Sequence, residues 1–264
     1  ACPAWDGKNP TPVAGKCQVS TPSGDAVKYA GKDPDDATTW VLPDGRRAHV
    51  AGAEWRFDEA DMLPGGPTLA LPVPGSDLLL VVDAGYGAHA LRLVDATKIA
   101  SGTSPMIAYE RFAVPSTLTS AAVWVEPDLA LVGTADGVVQ AFKVSRVDKT
   151  LARDAARTIT LPLGVSDTGK PAPYAVGGLA LSPDGKHLLV TPIFDTSSYV
   201  YDLTAPSSPV GSLSLGRGGT FAAAFDPHDA TGRYAYASAW GGHAAIEIDL
   251  GDPTAPTKKR SVNC

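Results

Sequence analysis

Apolar residues along this chain form short stretches that suit β-strands rather than helices. Ile246 to Asp249 alternates apolar and polar positions, and Leu78 to Val82 is a continuous apolar block of strand length. Helices would instead place apolar residues three and four positions apart. Val, Tyr and Phe, which favour pleated strands, are abundant in these stretches, and turn residues separate them. The pattern predicts an all-β chain of many short strands.

Two kinds of segment recur. Trp40 to Ala51 matches Leu179 to Thr191, each as an apolar strand, a Pro-Asp-Gly turn and a second apolar strand. Proline presets such a turn and glycine supplies its positive φ. Tyr86 to Asp95 matches Trp240 to Asp249 as an aromatic residue, glycine, a small residue, histidine and a strand ending in Asp. Partial copies of the second segment are Glu54 to Asp58, Gly133 to Val144 and Tyr199 to Leu203.

The spacing of these copies indicates the fold. Their strand-ending residues Asp58, Asp95, Ser145, Asp202 and Asp249 are 37, 50, 57 and 47 residues apart. Four strands with their turns need about 40–50 residues, which is the period of a propeller blade. We therefore expect residues 27–264 to form a β-propeller of about five four-stranded blades. A segment containing Cys and Pro, residues 1–26, precedes it.

The end of the chain bears on ring closure. Val210 to Leu215 and Thr257 to Val262 each follow a similar turn that begins with Asp-Leu and contains two prolines. We interpret each as the innermost strand of a new blade. The last would then complete the first blade and close the ring, which removes unpaired sheet edges. The alternative is a six- or seven-bladed ring completed by another chain.

Composition and charge limit the classes of partner and the cellular location expected for this chain. The net charge is −6, the charged fraction is 19%, and the longest basic run is Lys258 to Arg260, so a nucleic-acid partner is not expected. No apolar run approaches the roughly 18 residues of a transmembrane helix. We interpret the start Ala1-Cys2-Pro3 as a mature end left by signal-peptide removal. These features predict a secreted, periplasmic or cell-surface protein.

The three cysteines, Cys2, Cys17 and Cys264, lie near the chain ends, outside any metal-binding spacing. A disulfide that staples the N-terminal segment is the preferred interpretation, and it fits an oxidising compartment. Free thiols are the alternative. Because three is odd, one cysteine pairs with another chain, stays free, or has lost its partner.

One unit carries a family resemblance. Gly178 to Val190, followed by Tyr199 to Leu203, resembles the YVTN-type repeat of bacterial surface and lactonase-like β-propellers, and the likeness extends over roughly residues 38–262. Lactonase-like relatives hold a metal ion in the central channel with carboxylate and amide side chains. Their ligand set has no residue-by-residue match here, so the resemblance does not carry over an activity. It leaves a divalent metal ion as the cofactor to test.

We expect ligands to bind at one end of the strands. The loops expected there, named a–b and c–d under this strand assignment, are Val114 to Ser120, Gly164 to Gly177, Gly216 to Gly219, Ala84 to His89, Ile193 to Ser198, and Ala239 to His243. Long loops on a rigid scaffold commonly carry function. The candidate ligand-binding residues on this face are His89, His243, Tyr86, Trp240, Asp195, Tyr174 and Arg217.

Each candidate also has a structural interpretation. His89 and His243 occupy equivalent repeat positions, so they form either a ligand pair or the same structural hydrogen bond twice. Tyr86 and Trp240 either wall a ligand or pack between blades. Asp195 and Asp83 are possible carboxylate ligands. The repeated Asp95, Asp202 and Asp249 are expected to be strand-end hydrogen-bond acceptors.

Catalytic motifs give no positive signal. The sequence has no Gly-x-Ser-x-Gly, no His-Glu-x-x-His and no phosphate loop before a helix. The first hypothesis is therefore a secreted propeller that binds a ligand or protein partner on this face. The alternatives are a metal-dependent lactonase-like hydrolase, or a subunit of a larger secreted complex that shares a propeller with a second polypeptide or oligomerises. Whether the chain is an enzyme stays open at this stage.

Overall fold

The structure is a computed structural model. It describes residues 66–84, 89–101, 103–165, 169–193, 195–216, 219–239 and 243–263, and the backbone of five short strands before residue 50. The chain divides into two compact units, residues 1–54 and 55–264.

The first unit contains two small antiparallel sheets. Strands β1 (Pro3–Trp5) and β2 (Pro10–Pro12) form one, and β3 (Gly31–Lys32), β4 (Thr39–Val41) and β5 (Arg47–His49) form the other. Strands β4 and β5 pair antiparallel, with Trp40 opposite Ala48. The two strands predicted on either side of the Pro-Asp-Gly sequence therefore pair, and the turn itself lies outside the described residues.

The second unit contains four blades of a β-propeller, each an antiparallel four-stranded sheet with its strands in chain order. Blade 1 contains β6 (Pro67–Pro72), β7 (Leu78–Asp83), β8 (His89–Asp95) and β9 (Met106–Phe112). Blade 2 contains β10 (Leu118–Glu126), β11 (Leu129–Thr134), β12 (Val138–Ser145) and β13 (Thr150–Arg153). The short helix α1 (Ala96–Ser101) links β8 to β9.

Between blades 2 and 3 lie a 3-10 turn (Ala155–Arg157), the short strand β14 (Ile159–Thr160), which also pairs with β12, and a hairpin of β15 (Gly164–Val165) and β16 (Pro171–Ala172). Blade 3 contains β17 (Val176–Leu181), β18 (His187–Pro192), β19 (Ser197–Asp202) and β20 (Gly211–Ser214). Blade 4 contains β21 (Thr220–Phe225), β22 (Tyr234–Ala239), β23 (Ala244–Asp249) and β24 (Thr257–Asn263).

The hydrophobic core lies between blades. One cluster joins blades 1 and 2, a second joins blades 2 and 3, and a third joins blades 3 and 4. Successive residues of blade 3 strands serve different clusters: Leu188 faces blade 2, and Leu189 faces blade 4. Because a middle blade is covered on both faces, its strands are apolar at nearly every position rather than alternating. Period-two patterning therefore appears mainly where one face is less covered, as in β22.

The first strands of successive blades lie side by side, and the backbones approach closely there. A Cβ at Gly178 would lie 2.7 Å from the backbone nitrogen of Ala223 and 2.8 Å from the Cα of Ala222. Glycine is needed at this position because any side chain would push β17 and β21 apart. The contact identifies β10, β17 and β21 as the innermost strands of their blades.

The predicted strand assignment was wrong by one strand. Val210 donates its N–H to the Val200 carbonyl at 2.8 Å, and β20 pairs with β19 along its length, so this strand is the fourth strand of blade 3. Likewise β24 pairs with β23 and completes blade 4. The expectation that Val210 to Leu215 and Thr257 to Val262 begin new blades, and that the latter completes the first blade, is therefore wrong. The physical reason is that a strand leaving a compact turn pairs most readily with the strand before it.

The correction renames the six predicted loops but keeps all of them on one face. Antiparallel order places the b–c loops and the connections between blades at one end of the strands, here called the upper face. The a–b and c–d turns lie at the other end, the lower face. All six loops predicted to share an end are b–c loops or blade connections, so they belong to the upper face. The Pro183–Gly185 turn is an a–b turn of the lower face.

The repeated strand-end aspartates act as predicted. Asp95, Asp202 and Asp249 each accept the backbone N–H two residues further on, at 3.1, 2.8 and 2.9 Å. An aspartate in this role stabilises the tight turn that follows a strand. The acids are structural parts of the lower face.

Candidate functional site

The two repeat-equivalent histidines have different surroundings. His89 begins β8, and its Nδ1 donates to the backbone carbonyl of Leu118 in blade 2 at 3.0 Å. This bond ties the third strand of blade 1 to the first strand of blade 2. His243 immediately precedes β23, is exposed, and has a φ of 46°. The structural interpretation therefore holds for His89, while the described contacts give His243 no matching hydrogen bond.

Asp195 and Tyr174 come together on the upper face through a residue that the sequence analysis did not select. Asp195 accepts the Ser197 N–H at 3.1 Å through one oxygen and the Tyr199 hydroxyl at 3.2 Å through the other. Tyr174 donates its hydroxyl to the Val165 carbonyl at 2.5 Å. The blade 3 b–c loop and the connection from blade 2 thus place both residues around Tyr199.

A glycine seats the Tyr174 ring. A Cβ on Gly164 would lie 1.7 Å from the ring atom Cε2 of Tyr174, so the ring lies directly over that backbone. Only glycine allows this approach. The hairpin of β15 and β16 therefore positions the Tyr174 side chain half-buried at the upper face.

The b–c turn of blade 2 adds a second carboxylate. Asp136 accepts the hydroxyl of Ser116 through Oδ2 and contacts the hydroxyl of Thr134 through Oδ1. The turn continues at Gly137, which has a φ of 77° and abuts the backbone of Tyr174. We call the upper-face residues Ser116, Thr134, Asp136, Tyr174, Asp195 and Tyr199 the upper cluster. It consists of two groups, one around Asp136 and one around Tyr199, which adjoin where Gly137 abuts the Tyr174 backbone.

Burial controls the protonation of Tyr199. Desolvation, followed by the negative charge and the hydrogen bond of Asp195, raises the pKa of Tyr199 to about 12, and Tyr174 adds to the effect. The phenol therefore stays protonated at neutral pH and remains a donor. The cluster presents carboxylate acceptors beside hydroxyl groups, an arrangement suited to a polyhydroxylated ligand.

The carboxylates do not fit a metal-ligand set. Both oxygens of Asp195 and one oxygen of Asp136 accept hydrogen bonds from protein donors, and the other Asp136 oxygen contacts the Thr134 hydroxyl. Asp83, the other proposed ligand, is buried in an ion pair whose Arg92 donates to its Oδ2 at 2.8 and 3.0 Å. Within the described ranges, no three His, Cys, Asp or Glu side chains converge. The metal-binding arrangement implied by the family resemblance is therefore not formed by these residues.

Tyr86, Trp240, Arg217 and the disulfide candidates Cys2, Cys17 and Cys264 lie outside the described residues. In the described part of the chain, no helix is both long and apolar enough to span a membrane.

Asp136, Thr134, Ser116 and Tyr199 are the members of the cluster that sequence reasoning missed. Asp136 stands in a Thr-Ala-Asp-Gly turn, where an aspartate before glycine at the end of a buried strand was a usable signal. Tyr199 carried no such signal. It lies in a strand that reads as core, and only the position of Asp195 shows that its hydroxyl reaches the upper face.

The fold defines a class of protein before any relative is considered: radially packed four-stranded blades with a polar cluster at the loop end. No family model matches the sequence, and no curated protein matches it. Among solved structures, a protein from Lactobacillus plantarum shares 15% identity with a TM-score of 0.60, over 89% of this chain and 66% of that one.

A second solved structure is the periplasmic gluconolactonase PpgL of Pseudomonas aeruginosa. It shares 16% identity with a TM-score of 0.58, over 75% of this chain and 54% of that one. The chain thus spans just under two thirds and about half of the lengths of the two neighbours. At these identities the likeness supports the β-propeller fold.

Proposed function

We propose that the chain binds a small hydroxylated lactone at the upper cluster and hydrolyses it to the open acid. The observation that carries the proposal is the hydrogen-bonded pair of Asp195 and protonated Tyr199 on the upper face, with Asp136 on a neighbouring turn of that face, in a fold similar to that of a periplasmic gluconolactonase. This favours the lactonase-like alternative of the sequence analysis over a protein-binding role.

The residues of the cluster suit this substrate. Carboxylates accept hydrogen bonds from the substrate hydroxyls, and hydroxyl groups of Ser116 and Tyr174 can donate or accept. Hydrolysis adds water across the ester: oxygen bonds to the carbonyl carbon, the ring C–O bond breaks, and the ring oxygen takes a proton. Asp195 is the group proposed to accept the proton of the attacking water, because Tyr199 can turn its donor from Asp195 toward the substrate.

Recognition without turnover is the second candidate. It is favoured by the protein groups that already contact both carboxylates, because these groups compete with an attacking water for the same oxygens. In that case the cluster would bind the lactone and its acid with similar affinity. The ligand class and the face are the same in both cases.

The decisive experiment measures proton release from glucono-δ-lactone in a pH-stat, with the purified chain, with and without EDTA. We expect hydrolysis above the uncatalysed rate, and a fall of about 10²–10⁴-fold in kcat in Asp195→Asn, the range typical of a lost general base. The matched control is Asp148→Asn, an exposed lower-face carboxylate that accepts the Ser145 hydroxyl at 2.9 Å.

Three outcomes separate the candidates. Turnover that survives in Asp195→Asn and Asp136→Asn would reject the proposed site. Saturable binding of the lactone without turnover would favour the recognition candidate. Activity abolished by EDTA and restored by a divalent ion would show that metal ligands outside the described residues carry the reaction.

We also propose a periplasmic or secreted location with at least one disulfide and a second polypeptide as the partner to look for. The gluconolactonase neighbour is periplasmic, which supports such a location for this type of fold. Native, non-reducing mass spectrometry of the protein from its source tests the proposal. A single species near 27.2 kDa would reject the second polypeptide, and a mass unchanged by reduction would reject the disulfide.

A further inference from the structure

Two clefts on the lower face occupy equivalent places between blades but differ in size. The blade 2/3 cleft has a volume of about 310 Å³, and the blade 3/4 cleft about 180 Å³. Leu203 and Pro206 line the larger cleft where Leu250 and Pro253 line the smaller one. The repeat accounts for their common position, so the difference between them needs a local cause.

Turn length is that cause. In blade 2, Glu126 pairs with Leu129, which leaves a two-residue turn between the first two strands. In blade 3, Leu181 pairs with Leu188, and the longer intervening turn places Ser182 and Asp184 in the smaller cleft. The short turn of blade 2 covers less of the interblade core. Leu129, Leu131 and Ile159, each at most 2% exposed, form the base of the larger cleft, and half-buried Val125 and Leu203 form its walls.

The clefts also differ in the cation at their rim. Lys186 and Arg233 are structurally equivalent, because their carbonyls accept the N–H of Leu203 and Leu250 respectively. Arg233 is held by Asp249 through two hydrogen bonds of 3.0 and 2.8 Å. Among the described residues, the Lys186 ammonium forms no ion pair or side-chain hydrogen bond.

The acids nearest Lys186 have other partners. Asp202, the counterpart of Asp249, accepts the N–H and hydroxyl of Thr204 at 2.8 and 2.7 Å. Asp184 lies in the smaller cleft and accepts the Ser182 hydroxyl at 2.6 Å. The charged side chains that line the larger cleft are Lys186 and an ion pair of Arg157 with Glu126. The side chains that line the larger cleft therefore carry one net positive charge above an apolar base, while Asp184 and Asp202 lie outside this lining and within electrostatic reach of Lys186.

We propose that the blade 2/3 cleft is a second ligand site, which takes a small amphipathic carboxylate with its apolar chain on Leu203 and Val125 and its carboxylate at Lys186. A volume near 310 Å³ is at the lower limit of typical small-molecule pockets. The site lies at the opposite end of the strands from the upper cluster. It is therefore independent of the proposed lactone hydrolysis.

Hexanoate is the probe, titrated into the isotope-labelled chain and followed by amide and methyl chemical shifts. Hexanamide has the same apolar chain without charge, and hexylamine reverses the charge. We expect saturable shifts centred on Lys186, Thr204 and the Leu203 methyls, with hexanoate binding roughly fivefold tighter than hexanamide, the effect of a partly exposed ion pair.

Lys186→Gln is expected to equalise the two affinities, and Arg233→Gln, the equivalent change at the smaller cleft, to leave the ratio unchanged. Equal binding of hexanoate and hexanamide to the unmodified chain, a preference for hexylamine, or shifts confined to the upper cluster would each overturn the proposal. Lactone turnover measured in Lys186→Gln should match that of the unmodified chain, so failure of one proposal leaves the other intact.

Discussion

Blades 3 and 4 share one strand template but are stabilised in different ways. In blade 3, Leu188 and Tyr201 pack toward blade 2 while Leu189 and Val200 pack toward blade 4, and all four are at most 1% exposed. In blade 4 the positions equivalent to Leu189 and Val200 are Tyr236 and Glu247. Whether a strand position in this protein is apolar or polar thus depends on what packs against it rather than on its place in the repeat.

Charged pairs hold the side of blade 4 that faces away from blade 3. Glu247 contacts both Lys259 and Arg260 on the neighbouring strand, and Lys259 lies 3.9 Å from the ring centre of Tyr234. Against blade 3, the same strands present small alanines and two isoleucines. Hydrophobic packing therefore stabilises one side of blade 4, and cross-strand electrostatics contribute to the other.

The largest contrast is expected between two truncations at equivalent positions. Leu189→Ala opens a cavity in the blade 3/4 core and should reduce the free energy of unfolding by about 2–5 kcal/mol. Tyr236→Ala, at the matching position of blade 4, should cost about 1 kcal/mol because the side chain is half-buried. Urea unfolding at one protein concentration measures both. Equal losses would mean that the two blades are equally packed.

A smaller contrast concerns the inner strands. Gly178→Ala places a methyl group against the backbone of β21 and should cost about 1–3 kcal/mol as overpacking. Its counterpart in blade 4 is Ala222, which is exposed, so Ala222→Ser should stay within about 0.5 kcal/mol. Thermal unfolding of the two variants provides the comparison. Tolerance of alanine at position 178 would show that the blades can move apart.

The equivalent cations predict different pH dependence. The hydrogen bond from Arg233 is the main cause that lowers the pKa of Asp249 from 3.8 to about 2. Because the folded-state pKa is depressed, this stabilisation is present above about pH 4 and is lost as the pH falls toward 2. The melting-temperature difference between the unmodified chain and Arg233→Gln should narrow in that window.

Lys186→Gln is the matched control for that experiment. In blade 3, the hydroxyl of Thr204 is the largest cause of the lowered pKa of Asp202, and Lys186 is the smallest. This variant should therefore show little change over the same pH range. An equal pH response in the two variants would contradict the difference between the clefts.

The smallest effects are expected from two tyrosines of β19. The Tyr201 hydroxyl is buried and has no hydrogen-bond partner among the described residues, whereas the equivalent residue of blade 4 is Ile248. Tyr201→Phe should be neutral or stabilise by up to about 1 kcal/mol, because an unsatisfied polar group is removed. Tyr199→Phe loses its bond to Asp195 and should cost about 0.5–1.5 kcal/mol. A loss in Tyr201→Phe would indicate a partner for that hydroxyl.

Local signals predicted a good part of this molecule correctly. The Pro183–Gly185 turn, the strand-ending aspartates and the loops of the upper face follow from turn chemistry and from the alternation of antiparallel strands. Strand membership in a blade did not follow, because β20 and β24 look alike as first or fourth strands and only their hydrogen bonds decide. Tyr174 and Asp195, which were predicted as ligand-binding candidates, lie on the upper face, but their arrangement around Tyr199 was not foreseen.

The sequence by itself determined the repeat, the all-β class and the end of the strands where polar loops gather. These depend on interactions within a few residues, which the order of side chains specifies. Tertiary structure alone decided that His89 bonds to another blade while His243 is exposed. It also decided that, within the described part of the chain, Arg233 is paired while Lys186 is not. Equivalent residues acquire different partners because the blade beside each one is different. A local sequence pattern does not specify which residues that neighbouring blade presents.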